Sequence, residues 1–265
     1  MVENETFHFD FMLVGSSLQA GLIAGLLARV HKKKVCLLSD PSIEFRLARE
    51  ISLSVDCITR PETWQLLAHL RTESFKLLTG IGGGKSLGRV DPVFVATNSR
   101  DAQALAHMFH VARGYGFEIE QEGSGPLMKA KRLLRLRGAR NICHQVFRPA
   151  LRRWLADSNV QIASASSLVL RPIRGGRVTA TAPDRTLKAD RLILADEEAI
   201  RNHAKEQEWA RGFIGVTATA LVCKPTSTLR EKCIINPANR FSACLQDNSG
   251  FEIITLSSGN DVATD

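Results

Sequence analysis

The residues best suited to chemistry lie near the start of the chain, in the run Gly15-Ser16-Ser17-Leu18-Gln19-Ala20. A dinucleotide-binding turn has the pattern Gly-x-Gly-x-x-Gly/Ala between a buried strand and a helix. Gly15 matches the tight turn, Ser17 stands where the backbone approaches a pyrophosphate, and Ala20 permits close packing of helix on strand. Together with Ser16, this turn would present the N–H groups of a helix start to phosphates. An ordinary strand–helix turn that binds no nucleotide is the alternative.

Two apolar segments predict the elements that position this turn. Residues 9–14 and 35–38 are short apolar runs typical of buried parallel strands. Residues 17–30 between them are small and apolar, which suits a helix packed tightly on a sheet. The stretch from residue 10 to residue 40 therefore has the length of one βαβ unit of about thirty residues.

An acidic residue near the end of the second strand usually binds the ribose hydroxyls in such units. Here Ser39 occupies that place and Asp40 follows it. Asp40 is either the ribose-binding residue or a helix cap in a solvent-facing turn.

A second run, Leu187 to Asp196 (LKADRLILAD), resembles the strand that closes the middle of many FAD-dependent oxidoreductases. The run from Phe147 to Leu151 (FRPAL), ahead of Trp154, looks like the helix that such proteins place before that strand. Residues 93–119 are similar to the entry into the substrate domain in the D-amino acid oxidase and sarcosine oxidase group. The resemblance covers about residues 8–200, through the order of elements more than through strict motifs.

This resemblance implies an α/β fold in which a Rossmann-like FAD-binding βαβ domain carries a β-rich second domain. It divides the chain into four segments. Residues 1–80 form the FAD-binding βαβ part, and residues 81–125 form a segment of the substrate domain. Residues 126–205 return to the FAD-binding domain, and residues 206–265 form a β-rich segment of the substrate domain.

The implied function is oxidation of an amine or amino-acid-like substrate by hydride transfer to flavin N5. The ADP half of FAD would lie on the glycine turn described above, with Asp40 on the ribose. Arg49 would contact the pyrophosphate or the flavin, although a surface arginine paired with a nearby acid is the plainer interpretation. No catalytic side chain is assigned, because in flavin oxidases the cofactor carries the hydride chemistry and the protein positions the substrate.

Two departures from the family pattern favour alternatives. Asp196-Glu197 replaces the usual Thr-Gly ending, so the backbone is not expected to approach the flavin in the usual way. The last FAD-binding segment of the family is matched poorly by Gly259-Asn260-Asp261, which indicates a missing C-terminal segment. A non-catalytic subunit, or one completed by a partner chain, is therefore the competing prediction. A flavin-dependent hydroxylase acting on a small molecule or a protein is another within the same fold.

Composition narrows the class of protein. Of 265 residues, 44% are hydrophobic and 23% are charged, which is typical of a folded globular chain. No apolar run reaches the roughly 18 residues of a membrane span, and the acidic N-terminus lacks the basic region of a signal peptide. No metal-ligand spacing joins the six cysteines, so reduced thiols in a cytoplasmic protein are expected. They are Cys36, Cys57, Cys143, Cys223, Cys233 and Cys244.

The net charge of +8 favours anionic partners, and residues 129–153 are the most basic part of the chain. Leucines interleave with the arginines there and few aromatic side chains accompany them. This pattern favours a solvated face or a docking surface for an acidic protein partner over nucleic-acid binding. Residues 79–86 end in Gly-Lys-Ser but lack a preceding strand, so a phosphate-binding P-loop is not predicted. His107 and His110 lack further ligands, and no metal site is predicted.

Overall fold

The polypeptide crosses three times between two units in a computed structural model that describes residues 5–40, 55–122, 129–204, 217–224, 232–238, 241–248 and 251–258. The first unit contains residues 1–46 and 145–213, and the second contains residues 47–144 and 214–265. The division expected from the sequence is also interleaved, but it places residues 47–80 and 126–144 in the first domain and residues 206–213 in the second.

The elements are numbered along the chain. The helices are α1 (Leu18–Arg29), α2 (Val55–Thr59), α3 (Pro61–Gly82), α4 (Ser99–Gly114), α5 (His144–Asp157) and α6 (Glu197–His203). The strands are β1 (Glu5–Val14), β2 (Val35–Ser39), β3 (Leu87–Val90), β4 (Val93–Ala96), β5 (Ile119–Glu122), β6 (Arg132–Leu136), β7 (Ala139–Ile142), β8 (Gln161–Ser164), β9 (Val169–Pro172), β10 (Val178–Thr181), β11 (Arg185–Leu194), β12 (Thr217–Cys223), β13 (Cys233–Asn236), β14 (Phe241–Asn248) and β15 (Phe251–Ser258).

The sheet of the first unit has the strand order β8-β2-β1-β11-β10-β9. Its first four strands are parallel, and β10 and β9 complete it as antiparallel strands. β1 is central: Met12 lies opposite Cys36 of β2 on one side and Leu192 of β11 on the other. Met12 and Leu13 are completely buried, as expected for a parallel strand that is covered on both faces. The predicted βαβ unit is confirmed.

Small residues allow α1 to approach its neighbours closely. Ala20, Ala24 and Ala28 repeat every four residues and are buried. On another side of the helix, a Cβ atom added at Gly21 would lie 2.9 Å from the Leu151 side chain of α5. A Cβ atom at Gly25 would overlap the ring of Trp154, also on α5. The two glycines therefore create the space into which α5 side chains pack.

The second unit contains a seven-stranded sheet with the order β12-β15-β14-β13-β4-β6-β5. All its neighbouring strands are antiparallel except β13 and β4, which are parallel. Helix α4 packs Leu105 and Met108 into a core that also contains Phe94 and Leu134. A separate two-stranded ladder joins β3 to β7. The predicted α/β fold class, a Rossmann-like domain with a β-rich second domain, is confirmed.

Two local predictions differ from the structure. The glycine-rich run 79–84 predicts a connection, but helix α3 continues to Gly82 and ends at Gly83, which has a φ of 74°. The apolar run 90–97 predicts one strand with Pro92 near an edge, but β3 ends at Val90 and β4 begins at Val93, because proline cannot donate a ladder hydrogen bond. The basic residues 129–140 contribute strands β6 and β7. None of the helices in the described ranges is long and apolar enough to cross a membrane.

Cys36 provides a direct test of the buried parallel sheet. Its side chain is completely buried on β2, and burial raises the pKa of the thiol to about 12, although the charge of Arg185 opposes this rise. The Cys36 thiol therefore stays protonated at about pH 8. Because the thiolate, and not the thiol, is the reactive nucleophile, Cys36 should react slowly. We expect iodoacetamide to label the half-buried Cys57 and Cys143 of the native protein before Cys36. Peptide mass spectrometry measures the order, and equal labelling rates for Cys36 and Cys57 would contradict the prediction.

Candidate functional site

The β1–α1 turn, residues 15–17, connects the central strand to the first helix. Its Gly15 N–H donates to the Leu38 carbonyl of β2 at 3.0 Å, which attaches the turn to the neighbouring strand. Ser17 is the N-cap of α1, because its hydroxyl oxygen accepts from the Ala20 N–H at 3.1 Å. Ser17 stands at the position of the second glycine in the dinucleotide pattern. In the structure it caps the start of α1.

Ser16 links the turn to the residues that follow β2. Its Oγ accepts a hydrogen bond from the Asp40 N–H at 2.8 Å and another from the Ser39 hydroxyl at 3.2 Å. The fold thus brings Gly15, Ser16, Ser17 and Asp40 together at one edge of the parallel sheet. Ala20 lies completely buried in the first turn of α1. Arg49, the remaining predicted cofactor-binding residue, lies outside the described residues.

Asp196 is the residue of this site that the sequence did not predict. It follows β11 and is the N-cap of α6, where its Oδ1 accepts from the Ala199 N–H at 2.9 Å. Its Oδ2 accepts from the Ser16 N–H at 2.7 Å and from the Ser17 N–H at 3.1 Å. One carboxylate therefore binds the starts of two helices. The sequence had marked this position only as a departure from the family ending.

The neighbouring strands explain how Asp196 reaches the turn. β11 runs parallel to β1, and the Ala195 N–H continues their ladder by donating to the Val14 carbonyl at 2.8 Å. The residues that follow the two strands, Gly15 after β1 and Asp196 after β11, therefore lie at the same edge of the sheet. A Cβ atom at Gly15 would lie 2.7 Å from Asp196 Oδ2 and 3.0 Å from Ala20 Cβ. Glycine at position 15 leaves the room that this contact needs.

The turn has the donor geometry of an anion site. Two consecutive N–H groups converge on one oxygen at the N-terminus of α1, where the helix dipole favours negative charge. The first turn of α1 contains no acidic residue that would compensate this charge. In this structure the Asp196 carboxylate accepts from both N–H groups. A phosphate oxygen could accept from the same two donors.

Two arginines of the basic stretch form ion pairs with acids of their own chain within the second unit. Arg135 on β6 forms an ion pair with Glu122 of β5 at 2.5 Å. Arg137 binds Glu120 at 2.6 Å and Asp91 at 3.0 Å. These acids belong to the same unit as the arginines. Part of the positive charge on which the prediction of an acidic partner depends is therefore neutralised within the unit, where it stabilises the pairing of β5 with β6.

The pKa values of two acids reflect these ion pairs. The hydrogen bond from Arg137 holds the pKa of Glu120 below its usual value. Burial raises the pKa of Asp91, but hydrogen bonds from Arg137 and the Gly138 N–H, together with the charge of Arg89, outweigh burial and lower it. Both carboxylates are therefore ionised near neutral pH.

The histidines do not form a metal centre within the described part of the chain. No group of three or more His, Cys, Asp or Glu side chains there could hold a metal ion. His107 instead places its Nε2 3.1 Å from the Thr59 carbonyl of α2.

No protein-family model and no curated protein sequence matches this chain. Solved structures do match its fold. Glycine oxidase from Geobacillus kaustophilus is 14% identical and superposes with a TM-score of 0.62, covering 96% of this chain and 73% of the oxidase. L-alpha-glycerophosphate oxidase from Mycoplasma pneumoniae is 13% identical, with a TM-score of 0.64 over 96% of this chain and 73% of that one. The fold is the one that these oxidases share.

L-proline dehydrogenase from P. horikoshii extends the comparison. It is 9% identical, with a TM-score of 0.65 over 99% of this chain and 72% of the dehydrogenase. The shared fold therefore includes both units, since the aligned part covers nearly the whole sequence. Because the sequence identities are this low, the similarity to these enzymes shows the fold alone.

Proposed function

We propose that this chain binds FAD at the β1–α1 turn and acts as an FAD-dependent oxidoreductase on an amine or amino-acid-like substrate. The observation that carries the proposal is the pair of N–H groups of Ser16 and Ser17, which converge on one anionic oxygen at the start of α1. This anion site lies at the carboxyl edge of a parallel sheet, where open α/β folds bind their ligands.

The structural neighbours support the choice of cofactor and reaction. The Mycoplasma pneumoniae oxidase has FAD bound, and it shares the fold of both units. Other neighbours are a glycine oxidase, an iminodiacetate oxidase and an L-proline dehydrogenase, all named for amino-acid-like substrates.

The residues of the turn fit a pyrophosphate if Asp196 leaves it. Ser16 and Ser17 would donate their N–H groups to phosphate oxygens, and Gly15 has no side chain to obstruct the approach. Asp40 would bind the ribose, and Arg49 would contact the pyrophosphate or the flavin. Bound FAD would supply the hydride acceptor, and the protein would position the substrate.

A second candidate function is a non-catalytic subunit, or one completed by a partner chain. The observation that favours it is Asp196, because its carboxylate holds the donors that a phosphate needs. An acidic protein could dock on the basic stretch 129–153. A flavin-dependent hydroxylase acting on a small molecule or a protein would use the same cofactor site.

A visible spectrum tests the proposal. Protein purified and then incubated with excess FAD should retain flavin bands at about 370 and about 450 nm after desalting. Gly15→Val should weaken binding by roughly 10- to 100-fold, because it blocks at least one charge-assisted hydrogen bond worth about 1.5–3 kcal/mol. The matched control is Gly114→Ala, at a glycine with no heavy atom near its Cβ position.

Titration of FAD into each protein, followed by calorimetry, measures these affinities. A protein that is colourless and fails to bind added FAD would rule out the enzyme and favour the non-catalytic subunit. Equal affinities of the wild type and Gly15→Val would show that FAD binds elsewhere.

A further inference from the structure

We propose that Asp196 is an internal competitor for the phosphate position of the β1–α1 turn, so that a dinucleotide binds only when this carboxylate moves away. The inference rests on the proposed function, because it concerns the regulation of the same site. In the closed state the Asp196 carboxylate occupies the anion site of its own chain, and in the open state it has left the turn.

The geometry of the contact carries the inference. Both N–H donors of the turn point to the same atom, Asp196 Oδ2, at 2.7 and 3.1 Å. A phosphate oxygen that accepts from Ser16 and Ser17 must occupy nearly the same point, and two oxygens cannot share it. The carboxylate would also repel a phosphate placed beside it, because like charges at close range disfavour each other.

Both oxygens of the Asp196 carboxylate stabilise the closed state. Its Oδ1 caps α6 through the Ala199 N–H while its Oδ2 binds the turn. Opening therefore requires the side chain to give up its contact with the turn, and the α6 cap is the second contact that limits its movement.

The chain offers variants that separate these two contacts. Asp196→Ser keeps a good N-cap for α6 but is too short to bind the turn as the carboxylate does. Asp196→Asn keeps the size of the side chain and removes its charge. Glu198→Gln removes one negative charge from the same helical turn while leaving Asp196 in place, so it is the charge-matched control.

The first measurement is FAD affinity by calorimetry. Asp196→Ser is expected to bind FAD at least tenfold more tightly than the wild type, with Asp196→Asn between them and Glu198→Gln within twofold of the wild type. If all four proteins bind FAD equally well, the competitor role of Asp196 is overturned while the proposed function stands. An equal gain in Glu198→Gln would also overturn it, because general charge and not the contact would then control binding.

The second measurement does not depend on FAD. Amide NMR signals of Ser16 and Ser17 should move when Asp196→Ser removes the carboxylate from the turn. Titration with inorganic pyrophosphate should then perturb these two signals at a concentration at least tenfold lower in Asp196→Ser than in the wild type. This result together with no FAD binding by any variant would support the competitor and refute the flavoenzyme. Equal pyrophosphate responses, or none in either protein, would overturn the competitor.

Discussion

Replacing Gly25 with valine is expected to destabilise the first unit by about 3 kcal/mol, the upper range for overpacking a closely packed interior. Gly25 lies on α1 against α5, and even one added Cβ atom would overlap three atoms of the Trp154 ring. Trp154 is itself largely buried, so its ring has little room to move aside. Either the helices separate or the ring leaves its packed position, and both outcomes lose buried contacts.

Urea unfolding followed by circular dichroism measures the loss of stability in Gly25→Val. Gly80→Val is the matched control, because Gly80 is also within a helix and a Cβ atom there meets no heavy atom within 4 Å. Its stability should change by less than about 1 kcal/mol, the range of helix propensities. Adding Trp154→Ala should recover part of the loss, as expected for two residues in contact. Equal stability of Gly25→Val and the wild type would contradict the packing described for α1 and α5.

The βαβ unit could be predicted because its signals are local. Apolar runs bounded by Gly15 and Ser39 predict buried strands, and the small residues of α1 predict a helix packed closely on its neighbours. Local signals also predict Asn98 or Ser99 as the N-cap of α4, and in the structure the cap is Asn98, whose Oδ1 accepts from the Asp101 N–H at 2.9 Å. Each of these features depends on residues only a few positions apart.

The contact between Asp196 and the turn could not be predicted in this way, because its partners are 180 residues apart in the chain. Its formation depends on which strand pairs with β1, and strand propensity does not specify a neighbour. The pairing of β1 with β11 follows from the order of the whole sheet. The strand–helix turn could therefore be predicted from the sequence, whereas its contact with the Asp196 carboxylate could not.

The ion pairs of the basic stretch in the second unit could not be predicted from the sequence either. The mixture of arginine and leucine in this stretch predicts a solvated face or a docking surface, but a strand places successive side chains on opposite faces. In β6, Leu133 and Leu134 are buried while Arg135 pairs with Glu122 of β5. The acid that pairs with Arg135 comes from another strand, so composition alone could not identify it as the partner.

Replacing Trp64 with alanine is expected to destabilise the second unit by about 3–5 kcal/mol, the usual cost of removing a buried tryptophan side chain. Trp64 on α3 is 1% exposed and belongs to the core that contains Phe94 and Met108. Its indole N–H donates to the Ile58 carbonyl of α2 at 2.8 Å, and its ring meets Phe117 edge-on, with centroids 5.1 Å apart. Alanine removes the packing, the aromatic contact and the hydrogen bond together.

Trp64→Phe separates these contributions. Phenylalanine retains a ring for the core but leaves the Ile58 carbonyl without its donor, so the expected loss is smaller, about 1–3 kcal/mol. Urea unfolding gives both stabilities, and hydrogen exchange should place the loss of protection in α3, α4 and β4. If exchange instead increased first in β1 and β2, the assignment of Trp64 to the core of the second unit would be wrong. Equal losses for the two variants would mean that the indole hydrogen bond, and not the volume of the ring, holds α2 and α3 together.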